Sequence, residues 1–344
     1  MAARAFITGV AGLTLAADER DFLREAQPWG LIIFKRNVST PSQVQELVLS
    51  FRDVVGWNAP VLVDQEGGRV QRLGPPHWPA YPPGARYGQI YDESKVLGLE
   101  AAQLAGRLIA EDLGARGIDV DCLPIADVPV AGSDPVIGDR AYGIEPGKVA
   151  AIAGAVARGL QQGGVLPVLK HLPGHGRAAA DSHHKLPVVA TDRETLEKTD
   201  FAAFRPLKDL PLGMTAHVVF SAIDPDAPAT TSVTMVREVI RGFIGFQGLL
   251  MSDDISMNAL SGTIAERSSA ALGAGCDVVL HCNGDLNEMQ QVAGEAPKLE
   301  GDAAKRADAA LARRGPREAF DVEAGRASFN KIIARFADTR KTGS

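Results

Sequence analysis

The sequence predicts an α/β fold, a single-domain (β/α)8 barrel of the TIM type, from three observations. Eight short apolar runs alternate with helical segments along the 344 residues. Polar side chains follow most of these runs directly, and the length suits one barrel of about 250 residues with extensions. Alternation of this kind indicates parallel strands joined by crossover helices. Eight units favour a closed barrel, with an open parallel sheet as the alternative.

The eight strand candidates are mostly apolar and are bounded by Gly, Pro or Asp, which is typical of strands buried on both faces. In chain order they are Ala5–Val10, Leu31–Phe34, Pro60–Val63, Ile118–Leu123, Leu166–Leu169, Gly213–Ala216, Leu249–Met251 and Val278–Leu280. The segments between them are rich in Ala, Leu and charged residues at helical spacing. Examples are Pro41–Val54, Lys95–Arg116, Pro146–Gln162, Arg193–Leu207 and Ser232–Gly242.

Two further segments are predicted to be long loops, which are usually functional in compact domains. Gly74–Tyr87 carries five prolines, and Pro173–Pro187 is polar and rich in His and Gly. The chain after Leu299 is charged and helical in composition. We therefore predict one catalytic domain over residues 1–344, with the barrel core at about residues 4–300 and a helical tail at about 301–344.

The composition argues against several functional classes. The net charge is −6 and the isoelectric point is 5.7, so we expect no binding to nucleic acid or to a membrane surface. An odd count of three cysteines argues against a disulfide scaffold. The N-terminal apolar run is too short for a signal peptide, and no run of about 18 apolar residues occurs. We expect a cytoplasmic monomer.

Polar residues cluster immediately after the strand candidates. In a barrel the carboxyl ends of all strands meet at one mouth, where active sites lie. Side chains far apart in sequence would therefore converge on one pocket. They are Asp64 after the third strand, Asp127 after the fourth, Lys170 and His171 after the fifth, His217 after the sixth, Asp253 and Asp254 after the seventh, and His281 after the eighth.

The loop after the fifth strand concentrates histidine. Four of the seven histidines fall between His171 and His184. A metal site on one helix is disfavoured because Pro173 and Gly174 interrupt the segment, although a metal site and a merely structural loop stay open. Asp181 and His183 are two residues apart, and a carboxylate beside an imidazole is the arrangement used for general acid–base catalysis.

Two other segments carry groups suited to chemistry on a polar substrate. Asp253 at a strand end is placed to act as a nucleophile, while the alternative is that it or Asp254 caps the following helix. Asp64 and Arg72 belong to a segment dense in hydrogen-bonding groups that could grip sugar hydroxyls, and Arg140 is a further exposed arginine. The alternative for this segment is a salt-bridged loop.

Taken together, these segments resemble glycoside hydrolase family 3, and within it the bacterial NagZ type of β-N-acetylglucosaminidase. The resemblance spans about residues 64–257. At two positions the sequence departs from the family pattern: Leu172 stands where phenylalanine is common, and Arg177 where aspartate is common. The motifs are Asp64-Gln65-Glu66-Gly67-Gly68-Arg69-Val70-Gln71-Arg72, Gly138-Asp139-Arg140, Lys170-His171 through Gly176 with Asp181-Ser182-His183, Asp224-Pro225-Asp226 with Pro228-Ala229-Thr230, and Ser252-Asp253-Asp254-Ile255-Ser256-Met257.

The resemblance implies a role for each matching position. Asp253 corresponds to the nucleophile and His183 to the general acid/base, with Asp181 as the partner of His183. The implied reaction is retaining hydrolysis of terminal β-linked N-acetylglucosamine, from muropeptides in cell-wall recycling, with no metal or organic cofactor. The substrate-binding residues that it implies are Asp64, Arg72, Arg140, Lys170 and His171.

Three other functions stay open at this point. A glycoside phosphorylase would use phosphate in place of water. A lyase or aldolase-type barrel would use Lys170 as a Schiff-base amine. A sugar-binding protein would hold the same ligand without turnover.

Overall fold

The computed structural model describes residues 3–178, 182 and 186–336. Eight parallel strands close into a barrel in which each strand pairs with the strands before and after it in the chain, and the last pairs with the first. This confirms the predicted (β/α)8 barrel, since an open sheet would leave two strand edges unpaired. The strands are β1 Arg4–Thr8, β2 Pro28–Ile33, β3 Val61–Val63, β4 Val120–Asp121, β5 Leu166–Leu172, β6 Leu212–Thr215, β7 Leu249–Asp254 and β8 Val278–His281.

The helices surround this barrel. A π-helix at Met235–Ile244 lies between β6 and β7. Two small two-stranded sheets extend beyond the barrel, one formed by Gln65–Gly67 with Val70–Gln71 and the other by Val188–Val189 with Val219–Phe220. In the described ranges the α-helices are α1 Ala17–Ala26, α2 Pro41–Val55, α3 Gly84–Glu93, α4 Lys95–Gly114, α5 Pro146–Gln162, α6 Arg193–Lys198, α7 Ile264–Ala274, α8 Leu286–Glu295, α9 Gly301–Leu311 and α10 Val322–Arg335.

Strand interiors pack closely because both faces of the barrel wall are covered. All seven residues of β5 and all six of β2 are buried. Gly213 in β6 shows how little space remains, since a Cβ there would lie 2.7 Å from the Leu172 side chain and 2.8 Å from Phe246. Only glycine therefore allows β6 to approach β5 and the Phe246 ring without displacement.

Local sequence signals set several helix boundaries. Thr40 accepts a hydrogen bond from the Gln43 amide, and Pro41 opens α2, which ends at Gly56 in the left-handed region at φ 77°. At α7, Thr263 and Glu266 cap each other's backbone amides. Hydroxyl N-caps with a following glutamate, and glycine after the last turn, satisfy backbone groups that a helix end leaves without partners.

Two predictions about the segments between strands are wrong in part. The proline-rich loop predicted over Gly74–Tyr87 ends at Pro83, because α3 starts at Gly84. The single helix predicted over Arg193–Leu207 is instead the short α6 followed by two 3-10 turns, Phe201–Ala203 and Arg205–Leu207. Pro206 explains the second break, since it has no amide proton for a continuing helix.

The described part of the predicted helical tail contains α9 and α10, which pack against other parts of the same domain. Asp277, just before β8, accepts hydrogen bonds from Arg306 in α9 and from Arg241 in the π-helix, both at 2.8 Å. In α10, the Phe329 ring lies 6.2 Å from the Tyr81 ring. Among the described helices, none combines the length and the apolar character that a membrane crossing requires.

Candidate active site

A cavity of about 320 Å³ opens at the carboxyl ends of the barrel strands. The structure thereby brings together side chains from β3, β5, β7 and the loops beside them, as the position of most of the polar residues after the strands predicted. Asp127, His217 and His281 were expected in the same pocket but do not line it: they are buried behind its walls. Asp181 and His183, the predicted acid–base pair, lie outside the described residues. The six other predicted site residues all line the cavity: Asp64, Arg72, Arg140, Lys170, His171 and Asp253.

One wall of the cavity is a network of five charged side chains with the Lys170 ammonium at its centre. Lys170 Nζ lies 2.9 Å from Asp64 Oδ1 and 2.7 Å from Glu66 Oε1. Arg72 donates to the other oxygen of Asp64 at 2.8 Å. Arg140 binds Glu66 through two parallel hydrogen bonds of 2.8 Å, the bidentate geometry that fixes a guanidinium most firmly.

The charges in this network hold one another ionised. Burial alone would raise the pKa of Asp64 and Glu66, but the adjacent Lys170 and the arginines lower both values below the usual range. Burial alone would lower the pKa of Lys170, yet the two carboxylates hold it well above its usual value. The wall therefore presents fixed ammonium, guanidinium and carboxylate groups, which is the donor and acceptor set that sugar hydroxyls need.

The hairpin that follows β3 explains why Asp64 and Arg72 meet. Gln65 spans its two strands, because its amide oxygen accepts from the backbone amides of Arg72 and Leu73 while its Nε2 donates to the Leu73 carbonyl. The Arg72 amide also donates to the Asp64 carbonyl at 3.3 Å. A buried glutamine thus closes the turn and sets the two charged side chains side by side.

A second wall is built from two imidazoles held by Asp127. Asp127 lies 2.6 Å from Nδ1 of His171 and accepts from the His175 amide at 2.7 Å. With Nδ1–H directed at the carboxylate, Nε2 of His171 is left for the cavity. Burial and the neighbouring His171 lower the pKa of His175 to about 4, so this ring is neutral near pH 7.

His175 also contacts the histidine-rich loop. Its Nε2 lies 3.0 Å from Ser182 Oγ, and the Ser182 carbonyl accepts from the Ala259 amide at 3.2 Å. Ser182 is buried and lines the cavity. The residue between Asp181 and His183 is therefore held at the cavity wall by two contacts.

The departures from the family pattern have local structural consequences. Arg177 donates to Asp200 at 2.6 Å and to the Thr199 hydroxyl at 3.0 Å, so it pairs with a carboxylate that is itself buried. Leu172 is fully buried in the barrel wall against Gly213. Arg177 therefore ties the loop to Asp200 and Thr199, whereas Leu172 packs within the barrel wall.

Asp253 and Asp254 have different surroundings. Asp254 accepts from the amides of Ser256 and Cys282 and from the Ser256 hydroxyl, so it organises the turn after β7. Neither aspartate caps the next helix, since Thr263 caps α7. Burial opposes ionisation of Asp253, but the His217 and His171 imidazoles and the Asp254 amide outweigh it and lower the pKa of Asp253, which leaves an ionised carboxylate in the cavity.

Sequence reasoning gave no site role to Glu66, His175 or Ser182, and it expected Asp127 at the pocket without its role of holding two imidazoles. For Glu66 a signal was available, because side chains two residues apart in an extended segment share a face. Asp64 and Glu66 flank Gln65 in this way and meet the same Lys170 ammonium.

Across the described ranges, no three His, Cys, Asp or Glu side chains come together as metal ligands.

Comparison with known proteins confirms the resemblance. Residues 7–313 match the family model described as glycosyl hydrolase family 3 N terminal domain. A β-hexosaminidase of Nitrosomonas eutropha is 39% identical over 278 residues, 80% of this chain and 79% of that protein. A β-hexosaminidase of Aromatoleum aromaticum is 35% identical over 318 residues, 91% and 89% of the two chains. NagZ from Neisseria gonorrhoeae, crystallised with N-trifluoroacetyl-D-glucosamine, superposes with a TM-score of 0.86 at 30% identity, over 97% of this chain and 98% of that one.

From the charged network we predict that Lys170→Met lowers the free energy of unfolding by an amount that depends on pH. The substitution leaves Asp64 and Glu66 buried without their shared cation, and we expect it to lower the free energy of unfolding by about 3–5 kcal/mol at pH 7.5. In the native protein the pKa values of Asp64 and Glu66 are lower than in the unfolded chain, so these carboxylates stabilise the fold at pH values above their unfolded-state pKa. That stabilisation is lost only as the pH falls through their folded-state pKa values. In the variant the pKa values rise, so protonation relieves the repulsion as the pH falls.

Denaturant unfolding of both proteins at pH 7.5 and pH 5 measures this effect. The stability difference should be smaller at pH 5. The matched control is Lys305→Met, which removes the exposed pair with Asp302 and should leave stability nearly unchanged at both pH values. A stability difference for Lys170→Met that is equal at the two pH values would contradict the account of this wall.

Proposed function

The chain belongs to glycosyl hydrolase family 3, and from that premise we propose that it hydrolyses terminal, non-reducing β-linked N-acetylglucosamine with retention of configuration. The observation that carries the proposal is the position of Asp253 at the end of β7, in the same cavity as a wall of fixed hydrogen-bonding charges. Its surroundings lower the pKa of the Asp253 carboxyl. The β-hexosaminidase relatives and the hexosamine held by the Neisseria gonorrhoeae protein support the choice of sugar.

In the first step, Asp253 attacks the anomeric carbon and the bond to the leaving oxygen breaks. A carboxylate with a lowered pKa stays ionised at neutral pH and is available as a nucleophile. His183 donates its proton to the departing oxygen, and a glycosyl-aspartate ester forms. Asp181 orients the His183 ring and favours its protonated form.

In the second step, neutral His183 removes a proton from water, which attacks the anomeric carbon and releases Asp253. Two displacements restore the β configuration. Most glycosidases use two carboxylates for this chemistry. An imidazole in their place adds no second negative charge beside Asp253, which keeps the nucleophile ionised while the acid carries a proton.

The charged wall positions the sugar in this proposal. Asp64, Arg140 and Lys170 accept from and donate to the ring hydroxyls, with Arg72 fixing Asp64 and His171 presenting Nε2. Orientation of the reacting carbon against the nucleophile supplies a large part of the barrier reduction. The same wall argues against a Schiff-base lyase, because a lysine whose pKa is held above its usual value by two carboxylates keeps no free electron pair for a carbonyl.

The proposed substrates are muropeptides in which N-acetylglucosamine is linked to 1,6-anhydro-N-acetylmuramic acid, with or without peptide, processed during cell-wall recycling in the cytoplasm. This choice is supported by the family match and by the similarity to NagZ. Products formed in phosphate buffer separate hydrolysis from phosphorolysis, since a phosphorylase would release N-acetylglucosamine 1-phosphate. A sugar-binding protein would release nothing.

The nucleophile assignment predicts that Asp253→Ala nearly abolishes turnover of 4-nitrophenyl N-acetyl-β-glucosaminide. We expect kcat/KM to fall by at least about 10³-fold, because removal of a nucleophile leaves only binding and orientation. Asp226→Ala, at an exposed position outside the cavity, is the matched control and should retain activity. A folded Asp253→Ala protein with rates near those of the native enzyme would refute the assignment.

The acid assignment predicts a dependence on the leaving group. His183→Ala should harm aryl glycosides with poor leaving groups more than those with good ones, because only the former need protonation as the bond breaks. Comparing kcat/KM across a series of substituted phenols measures this, with His184→Ala as the neighbouring control. An equal loss across the series would remove His183 as the acid.

A further inference from the structure

A closed hydrogen-bond circuit beneath the cavity begins and ends on the peptide backbone that carries Asp253. The Asp253 amide donates to Thr215 Oγ1 at 3.3 Å, and Thr215 Oγ1 lies 2.8 Å from Thr230 Oγ1. Thr230 Oγ1 lies 2.7 Å from Nδ1 of His217, whose Nε2 lies 2.9 Å from the Asp254 carbonyl oxygen. Thr215, Thr230 and His217 are all fully buried.

Two donors in this circuit follow from the groups at its ends. The Asp254 carbonyl only accepts, so Nε2 of His217 donates to it. At the other end the Asp253 amide donates to Thr215 Oγ1. Between them the Thr230 hydroxyl contacts both His217 and Thr215, and it also donates to the Ala216 carbonyl at 3.1 Å.

Thr230 reaches this position because its loop folds back onto the end of β6. The Ala229 amide donates to the Val218 carbonyl at 2.8 Å, which fixes the residue next to Thr230. Asp224, at the other end of the same sequence motif, accepts from the Ser232 hydroxyl, and the Met235 amide donates to Ser232 Oγ at 3.0 Å. This accounts for a motif that no contact with the cavity explains, since none of its residues lines the cavity.

We propose that Thr230, acting through Thr215 and His217, is a positioning residue for the Asp253 nucleophile. The circuit holds the Asp253 amide on one side and the Asp254 carbonyl on the other, so the backbone at the carboxylate cannot shift without breaking a buried hydrogen bond. The charged wall at Lys170 binds the sugar independently of this circuit. The inference rests on the proposed function, in which Asp253 attacks the anomeric carbon.

The test compares Thr230→Val, which removes the hydroxyl at nearly constant volume, with Thr230→Ser, which keeps it. For 4-nitrophenyl N-acetyl-β-glucosaminide we expect kcat to fall about tenfold to hundredfold in Thr230→Val. The inhibition constant of N-acetylglucosamine should stay within about twofold, because the sugar-binding wall is intact. Thr230→Ser should restore most of the loss in kcat. The matched control is Thr231→Val, whose hydroxyl lies 3.5 Å from the Pro228 carbonyl and takes no part in the circuit.

A second variant keeps the test decisive if Thr230→Val does not fold. Thr215→Val breaks the same circuit at its other hydroxyl and should give a similar loss in kcat. The double variant should lose little more than either single variant, because both changes break one chain. Unchanged kcat in a folded single variant, losses that multiply, or a fall in kcat that Thr230→Ser does not restore would overturn the proposal.

Crystal structures of the native and Thr230→Val proteins separate this proposal from the proposed function. We expect the Asp253 carboxylate to move by more than about 0.5 Å in the variant, a shift that is measurable whatever the substrate. A native enzyme that is inactive on the aryl glycoside would refute the proposed function. The displacement of Asp253 would still test the role of the circuit. An unmoved carboxylate would overturn the inference alone.

Discussion

The site depends on a lysine ammonium buried between two carboxylates. Lys170 is almost completely buried, and it contacts Asp64 and Glu66 within 3 Å. A charge in such a place is tolerated only when its partners are ionised and well oriented. Arg72 also pairs with Asp64, and Arg140 also pairs with Glu66, so each carboxylate has two cationic partners. The network can therefore offer sugar hydroxyls an array of donors and acceptors that does not rearrange when ligand enters.

The charged wall and Asp253 have different tasks in the proposed reaction. In that proposal the charged wall around Lys170 binds and orients the sugar, whereas Asp253 at the end of β7 supplies the covalent chemistry. The lowered pKa of Asp253 follows from the imidazoles and the amide that face it, against the opposing effect of burial. Asp253 and the charged wall are held by separate hydrogen-bond systems, so we expect a substitution in one system to leave the other in place.

The sequence predicted the parts of the structure that local patterns control. Buried parallel strands are continuous apolar runs, so all eight were located, and polar residues after strands marked the cavity. The break of the helix predicted over Arg193–Leu207 was missed, although Pro206 was visible. The roles of Asp127 and Thr230 could not be assigned, although Asp127 was expected at the pocket, because those roles depend on neighbours distant in the chain. Arg177 was visible as a departure from the family pattern, but its partner Asp200 emerged only with the fold.

The central claim is that Asp253 becomes covalently bonded to the sugar. Incubation with a fluorinated N-acetylglucosamine analogue that slows the second step, followed by proteolysis and mass spectrometry, tests it most directly. The account predicts one added sugar on the peptide that contains Asp253, and loss of that adduct as activity recovers. A label on another side chain, or a product whose anomeric configuration is inverted, would contradict it.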